Sequence, residues 1–127
     1  MMERKELKKI ARARLKDAEA LFNARRYDGA VYLCGYAIEL ALKNRICKTL
    51  KWEEYPVSKK LNNFKTHDLA LLLQLAGIEK KISTTFFAEW SIVSEWNSEL
   101  RYQEIGSVTK DEAQLMIDST KILLKRI

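Results

Sequence analysis

The chain has 127 residues, 47% of them hydrophobic, with only 4 glycines and 1 proline. That length fits one domain over residues 1–127 with a sizeable core, and the composition favours long helices over turn-rich β structure. The formal net charge of +6 points towards anionic partners without a histone-like excess, and a solvated basic face is the plainer account of it.

Residues 1–9 hold no apolar h-region, so no signal peptide is expected. Residues 3–23 read as an amphipathic helix, with Leu7, Ala11, Leu15, Ala18 and Phe22 on its core face. Lys5, Lys9, Arg12 and Lys16 recur on another face. They form either a solvated surface or a stripe that tracks phosphates.

Asn23 to Gly29 breaks the period, and so short a link makes the first two helices antiparallel neighbours. The second helix is expected from about Asp28 to Leu50. From Gly29 to Leu42 its only charged residue is Glu39. The apolar run is too short for a bilayer span, which needs about 20 residues, so this is the central helix of a bundle. Gly29, Ala30, Cys34, Gly35, Ala37 and Ala41 let neighbours approach closely. Glu39, if buried, needs a partner. Lys43, one turn on, supplies one in the favourable order, unless it snorkels outward and leaves the carboxylate lining a cleft.

Cys34 and Cys47 lie on this one helix, about 20 Å apart, too far for a disulfide. Free thiols suit the cytoplasm.

From Lys51 to Lys65 no period survives, and the stretch reads as a long loop. Lys59, Lys60 and Lys65, interleaved with Phe64, offer a weak nucleic-acid signal. Thr66 then reads as the N-cap of a third helix with Asp68 in its first turn and Gly77 at C′. His67, the only histidine, is expected in a neutral capping role.

A fourth helix is expected from 79 to about 101, with Ile82, Phe86, Trp90, Val93, Trp96 and Leu100 in one stripe. Such a stripe belongs to the core or to a dimer interface, and more remotely to base stacking. Gly106 to Val108 makes a break. Thr109 with Glu112 matches a capping box that opens the last helix. There is no phosphate-cradling glycine loop, no zinc spacing and no serine elbow, so no cofactor or metal is expected. The ionisable residues left for a site are Glu39, Lys43, His67, Arg101 and Tyr102.

Four blocks in order carry a family resemblance: Ala13-Arg-Leu-Lys-Asp-Ala-Glu-Ala-Leu21, Tyr27-Asp-Gly-Ala-Val-Tyr-Leu-Cys-Gly-Tyr-Ala-Ile-Glu-Leu-Ala-Leu-Lys43, Lys65-Thr-His-Asp-Leu69 and Leu100-Arg-Tyr102. The chain resembles the HEPN domain. The resemblance implies an all-α, up-and-down bundle of four to five helices that commonly dimerises. It also implies a range of roles: metal-independent ribonucleases of toxin–antitoxin and defence systems, and non-catalytic binders of nucleotide, RNA or a minimal nucleotidyltransferase.

The nuclease members carry an arginine followed, after four to six residues, by a histidine. Arg101 matches the arginine, but the histidine positions hold Gly106, Ser107 and Val108, and none of these transfers a proton near neutral pH. The expectation is therefore a non-catalytic, dimeric binding module for nucleotide, RNA or protein, with no membrane contact. Its cleft would hold Glu39, Lys43, His67, Arg101 and Tyr102, and Lys5, Lys9, Arg12, Lys16, Lys59 and Lys60 would contact phosphates. The rival readings are a divergent ribonuclease using Arg101 with His67 or Tyr102, and a plain assembly module.

Overall fold

A computed structural model of the chain describes residues 2–56, 64 and 66–127, with the side chains of Met2 and Arg101 outside that description. Six α-helices follow one another among the described residues: α1 (Arg4–Asn23), α2 (Tyr27–Leu50), α3 (Leu69–Leu75), α4 (Glu79–Thr85), α5 (Phe87–Val93) and α6 (Lys110–Leu124). The chain is an all-α bundle, as the sequence implies.

The three-residue link 24–26 folds α2 back along α1. The antiparallel course is pinned at the far end, where the Arg4 amide donates to the Glu53 carbonyl at 2.7 Å. There two short strands, β1 (Met2–Glu3) and β2 (Glu54–Tyr55), pair antiparallel. This pairing was not expected in what read as a loop. It follows from the left-handed turn at Lys51 (φ 58°), which reverses the chain after α2. Leu7, Ala11 and Ala18 of α1 are buried, as their spacing requires.

α2 is buried on most of its circumference: Ala30, Cys34, Ala37, Ile38, Leu42 and Ile46 are fully enclosed. α3 packs on its C-terminal half, where the Thr49 hydroxyl donates to the Ala76 carbonyl at 2.9 Å. Asp68, not Thr66, caps α3: its carboxylate accepts the Ala70 and Leu71 amides at 3.0 and 3.2 Å. Thr66 instead accepts the Asp68 amide at 3.0 Å, one step outside the helix. Gly77 takes the left-handed C′ conformation, φ 76°.

The expected fourth helix is broken. α4 and α5 meet at Phe86 (φ −118°, ψ 35°), and α5 stops at Val93. A 3₁₀ turn, Ser98–Tyr102, follows, with Asn97 as its N-cap: the side-chain oxygen accepts the Glu99 amide at 2.9 Å. Asn97 is an in-frame cap that the apolar stripe concealed. The break turns Trp96 inward, where its ring lies flat on Gly35 and its indole N–H donates to the Tyr32 carbonyl at 3.1 Å. Trp96 is therefore core, not a stacking platform. α6 opens on the Thr109–Glu112 capping box, complete in both directions, and buries Ala113, Met116, Ile117, Thr120 and Leu123.

Candidate functional site

Two places on the fold carry chemistry, and both are set out along one face of α2. Asp28, Tyr32, Tyr36, Glu39 and Lys43 step by three or four residues, so they share that face.

The first place is a buried carboxylate. Glu39 is only 1% exposed. The Lys43 ammonium lies 3.2 Å from Oε2, and His67 Nδ1 lies 2.7 Å from Oε1. Each carboxylate oxygen thus has its own partner, and the desolvation cost is met from both sides. Lys43 also stands 5.2 Å from the centre of the Tyr55 ring, a cation–π contact. Burial and the nearby Cys47 and Glu39 raise the Tyr55 phenol well above its ordinary value, and its hydroxyl donates to the Phe64 carbonyl. Burial, then the Glu39 charge, likewise raises Tyr36.

His67 is thus held by Glu39 rather than spent on capping. Nδ1 faces the carboxylate, and the side chain is 57% exposed. The arrangement orients an imidazole and neutralises a buried acid; by itself it supplies neither a nucleophile nor an oxyanion site.

The second place is an open cleft of about 810 Å³ at the other end of this face. Tyr32, Ile92, Trp96, Leu100 and Leu115 wall it, and the loop 103–108 closes one side. Asp28 clamps that loop, accepting the Gly106 amide at 2.6 Å and the Val108 amide at 3.0 Å. Gly106 has φ 84°, so the loop turns sharply where the clamp holds it. The sequence marks Asp28 only as the approximate start of the second helix, and nothing in its neighbours signals a partner some eighty residues on.

The structure brings Glu39, Lys43 and His67 together. It sets Arg101 and Tyr102 apart from them in the 3₁₀ turn, beside the cleft. Tyr32 on the cleft wall and Glu39 are seven residues apart on α2, about 10 Å along the helix. Leu100 and Gln103, which flank Arg101 and Tyr102, line the cleft. Tyr102 is 71% exposed, and the side chain of Arg101 lies outside the described residues.

On α1, Lys5, Lys9, Arg12 and Lys16 are all exposed, with Lys5 3.6 Å from Glu3 and Lys9 4.0 Å from Glu6. Lys59, Lys60 and Lys65 fall outside the described residues. Phe64, expected to interleave with them, packs instead against Trp52 and Tyr55 at ring distances of 5.2 and 6.2 Å, so its face is not offered to a base.

Among the described residues no group of three or more histidine, cysteine or acidic side chains is placed to hold a metal ion. No helix of the structure, among the residues described, is long and apolar enough to cross a membrane. Cys34 and Cys47 are free and buried, and burial pushes the Cys34 thiol up to about 12.

These features define a helical module in which one buried acid organises the central helix and an open cleft lies at its end. The model of the HEPN domain matches residues 4–127, essentially the whole bundle, and the chain belongs to the HEPN family. Searches of curated proteins and of solved structures returned no match.

Proposed function

We propose that this chain is a non-catalytic HEPN module that acts by binding. The observation that carries the reading is the state of the loop after Arg101. Its three positions for a proton-transferring histidine are Gly106, Ser107 and Val108, and the backbone at two of them is committed to Asp28. The chain's histidine is engaged elsewhere, 2.7 Å from Glu39.

In this reading the exposed cations of α1 contact phosphates of a nucleotide or RNA. Arg12 and Lys16 are the strongest of them, being exposed and in no ion pair among the described residues. Arg101 would add a further contact from the 3₁₀ turn. The module works in the cytoplasm as a single-domain homodimer, in a toxin–antitoxin or defence setting, beside a minimal nucleotidyltransferase. Family membership and the buried free thiols support this setting.

A second reading has one observation of its own. A carboxylate that orients a half-exposed imidazole is the geometry of a general base, so a divergent ribonuclease would use His67 with Arg101.

Incubation with a mixed RNA pool separates the two. The binding module leaves the pool intact and retains it, with affinity that rises as salt falls and drops about tenfold in Arg12→Ala/Lys16→Ala. Cleavage abolished by both His67→Ala and Arg101→Ala would establish the nuclease and overturn the proposal.

A further inference from the structure

Among the described residues, the cleft beside the 3₁₀ turn is lined by charge opposite to that of the protein as a whole. The chain carries a net +6, yet residues 86–119 hold seven acidic residues against two basic ones. Four carboxylates line the cleft: Asp28, Glu95, Glu104 and Glu112. Asp28 is spent on the loop and Glu112 on the capping box, while Glu95 and Glu104 are exposed and in no ion pair among the described residues. Among the described residues no lysine or arginine lines it. The wall is apolar and open: Leu115 is 53% exposed and Ile105, on the loop, 95%. Two such side chains facing water around one concavity mark an interaction surface.

We infer that this cleft docks a basic amphipathic helix of a partner protein, with apolar side chains seated between Trp96 and Leu115 and cations against Glu95 and Glu104. The charge pattern selects this occupant. A nucleic acid would bring phosphates against four carboxylates. A second copy presenting the same cleft would oppose acid to acid. A second copy presenting α1 would bring cations without an anchor, because α1 exposes no large hydrophobic side chain. Apolar anchors on one helical face and lysines at its flanks satisfy both halves of the surface.

The inference rests on the reading of the chain as a binding module, but it concerns a surface to which no described residue of α1 contributes, so the two fail separately. The probe is a short, fluorescently labelled amphipathic helical peptide of leucine and lysine, titrated against the full chain. Its counterpart carries glutamate in place of lysine. The lysine peptide is expected to bind, more tightly as salt falls; the glutamate peptide is not. Glu95→Lys/Glu104→Lys and, independently, Leu115→Asp are each expected to weaken binding about tenfold or more. Both change exposed side chains, and circular dichroism checks their folding. RNA retention through α1 is expected to persist in both.

Equal affinity of the lysine peptide for the wild type and for both variants would overturn the inference. So would a wild-type dimer that Leu115→Asp converts to monomer, which would make the cleft a contact between copies of this chain.

Discussion

His67 Nδ1 lies 2.7 Å from Glu39 Oε1 and so ties the start of α3 to the middle of α2 across 28 residues of sequence. The same carboxylate holds Lys43 at 3.2 Å. Removing the acid leaves a largely buried ammonium with, among the described residues, only the Tyr55 ring beside it. Glu39→Ala is expected to cost about 3 kcal/mol, and Glu39→Gln, which keeps the shape but not the charge, about half of that. His67→Ala, at a side chain more than half exposed, is expected to cost about 1 kcal/mol. Urea midpoints at constant slope measure all three. An alanine at 39 no more costly than one at 67 would show that the buried ion pair contributes nothing.

Gly35 and Trp96 make a close approach between α2 and the link from α5 to the 3₁₀ turn. A Cβ at position 35 would meet the indole ring at 2.2 Å, and the ring cannot retreat without losing its bond to the Tyr32 carbonyl. Gly35→Ala is therefore expected to destabilise by about 3 kcal/mol, at the upper end of overpacking costs, although alanine is the better helix former. Thermal unfolding checks it, with tryptophan fluorescence reporting the displaced ring. A neutral or stabilising result would show that the indole slides freely.

Asp28 supplies the clamp on the loop 103–108. Asp28→Ala frees the Gly106 and Val108 amides. Their hydrogen exchange is expected to accelerate about tenfold or more, while global stability falls by only about 1 kcal/mol, because the loop is on the surface. Asp28→Asn, which keeps an acceptor oxygen, should restore part of the protection. Exchange unchanged in the alanine variant would mean that the loop is held by its own turn.

The buried thiols make stability depend on alkaline pH. Cys34 in the folded chain is pushed from an ordinary 9.0 to about 12 by burial, and Cys47 is raised by the same cause. The unfolded chain therefore loses these protons first. The stabilisation is complete below about pH 9 and is lost as pH rises from there towards the folded value. Each such thiol adds a slope of up to about 1.4 kcal/mol per pH unit. Urea titrations from pH 7 to 10 should show a decline beginning near pH 9, and a shallower one in Cys34→Ala. A thiol reagent should modify Cys34 only on unfolding. Modification of the native chain at neutral pH would contradict its burial.

How far the sequence reaches is plain from particular residues. The α1 core face, the apolar α2, the Gly77 C′ and the Thr109–Glu112 box were all legible, because each is a local pattern within one helix or one turn. Glu39 was recognisable as a buried acid with Lys43 as partner, since both stand on the same helix. His67 as its second partner was not, nor was Asp28 as the clamp of residues 106–108. These pairings join positions far apart in the chain, and no periodicity encodes them.

The break at residues 86–97 shows the same limit from the other side. The apolar stripe from Ile82 to Leu100 predicts one helix, and local propensity allows it. Tertiary packing overrides it, because Trp96 gains a buried seat on Gly35 and a hydrogen bond to Tyr32 only if the helix ends first. By itself, then, the sequence determined α1, α2 and α6, the family and the absence of a histidine after Arg101, all of which depend on residue identity and short-range spacing. The tertiary structure alone decided where Glu39 and His67 meet and that Leu100 and Gln103, beside Arg101 and Tyr102, line a cleft. It also decided that acidic side chains from α2, the chain between α5 and α6, and α6 gather around one apolar cleft. Those outcomes depend on which helix faces which, and packing sets that.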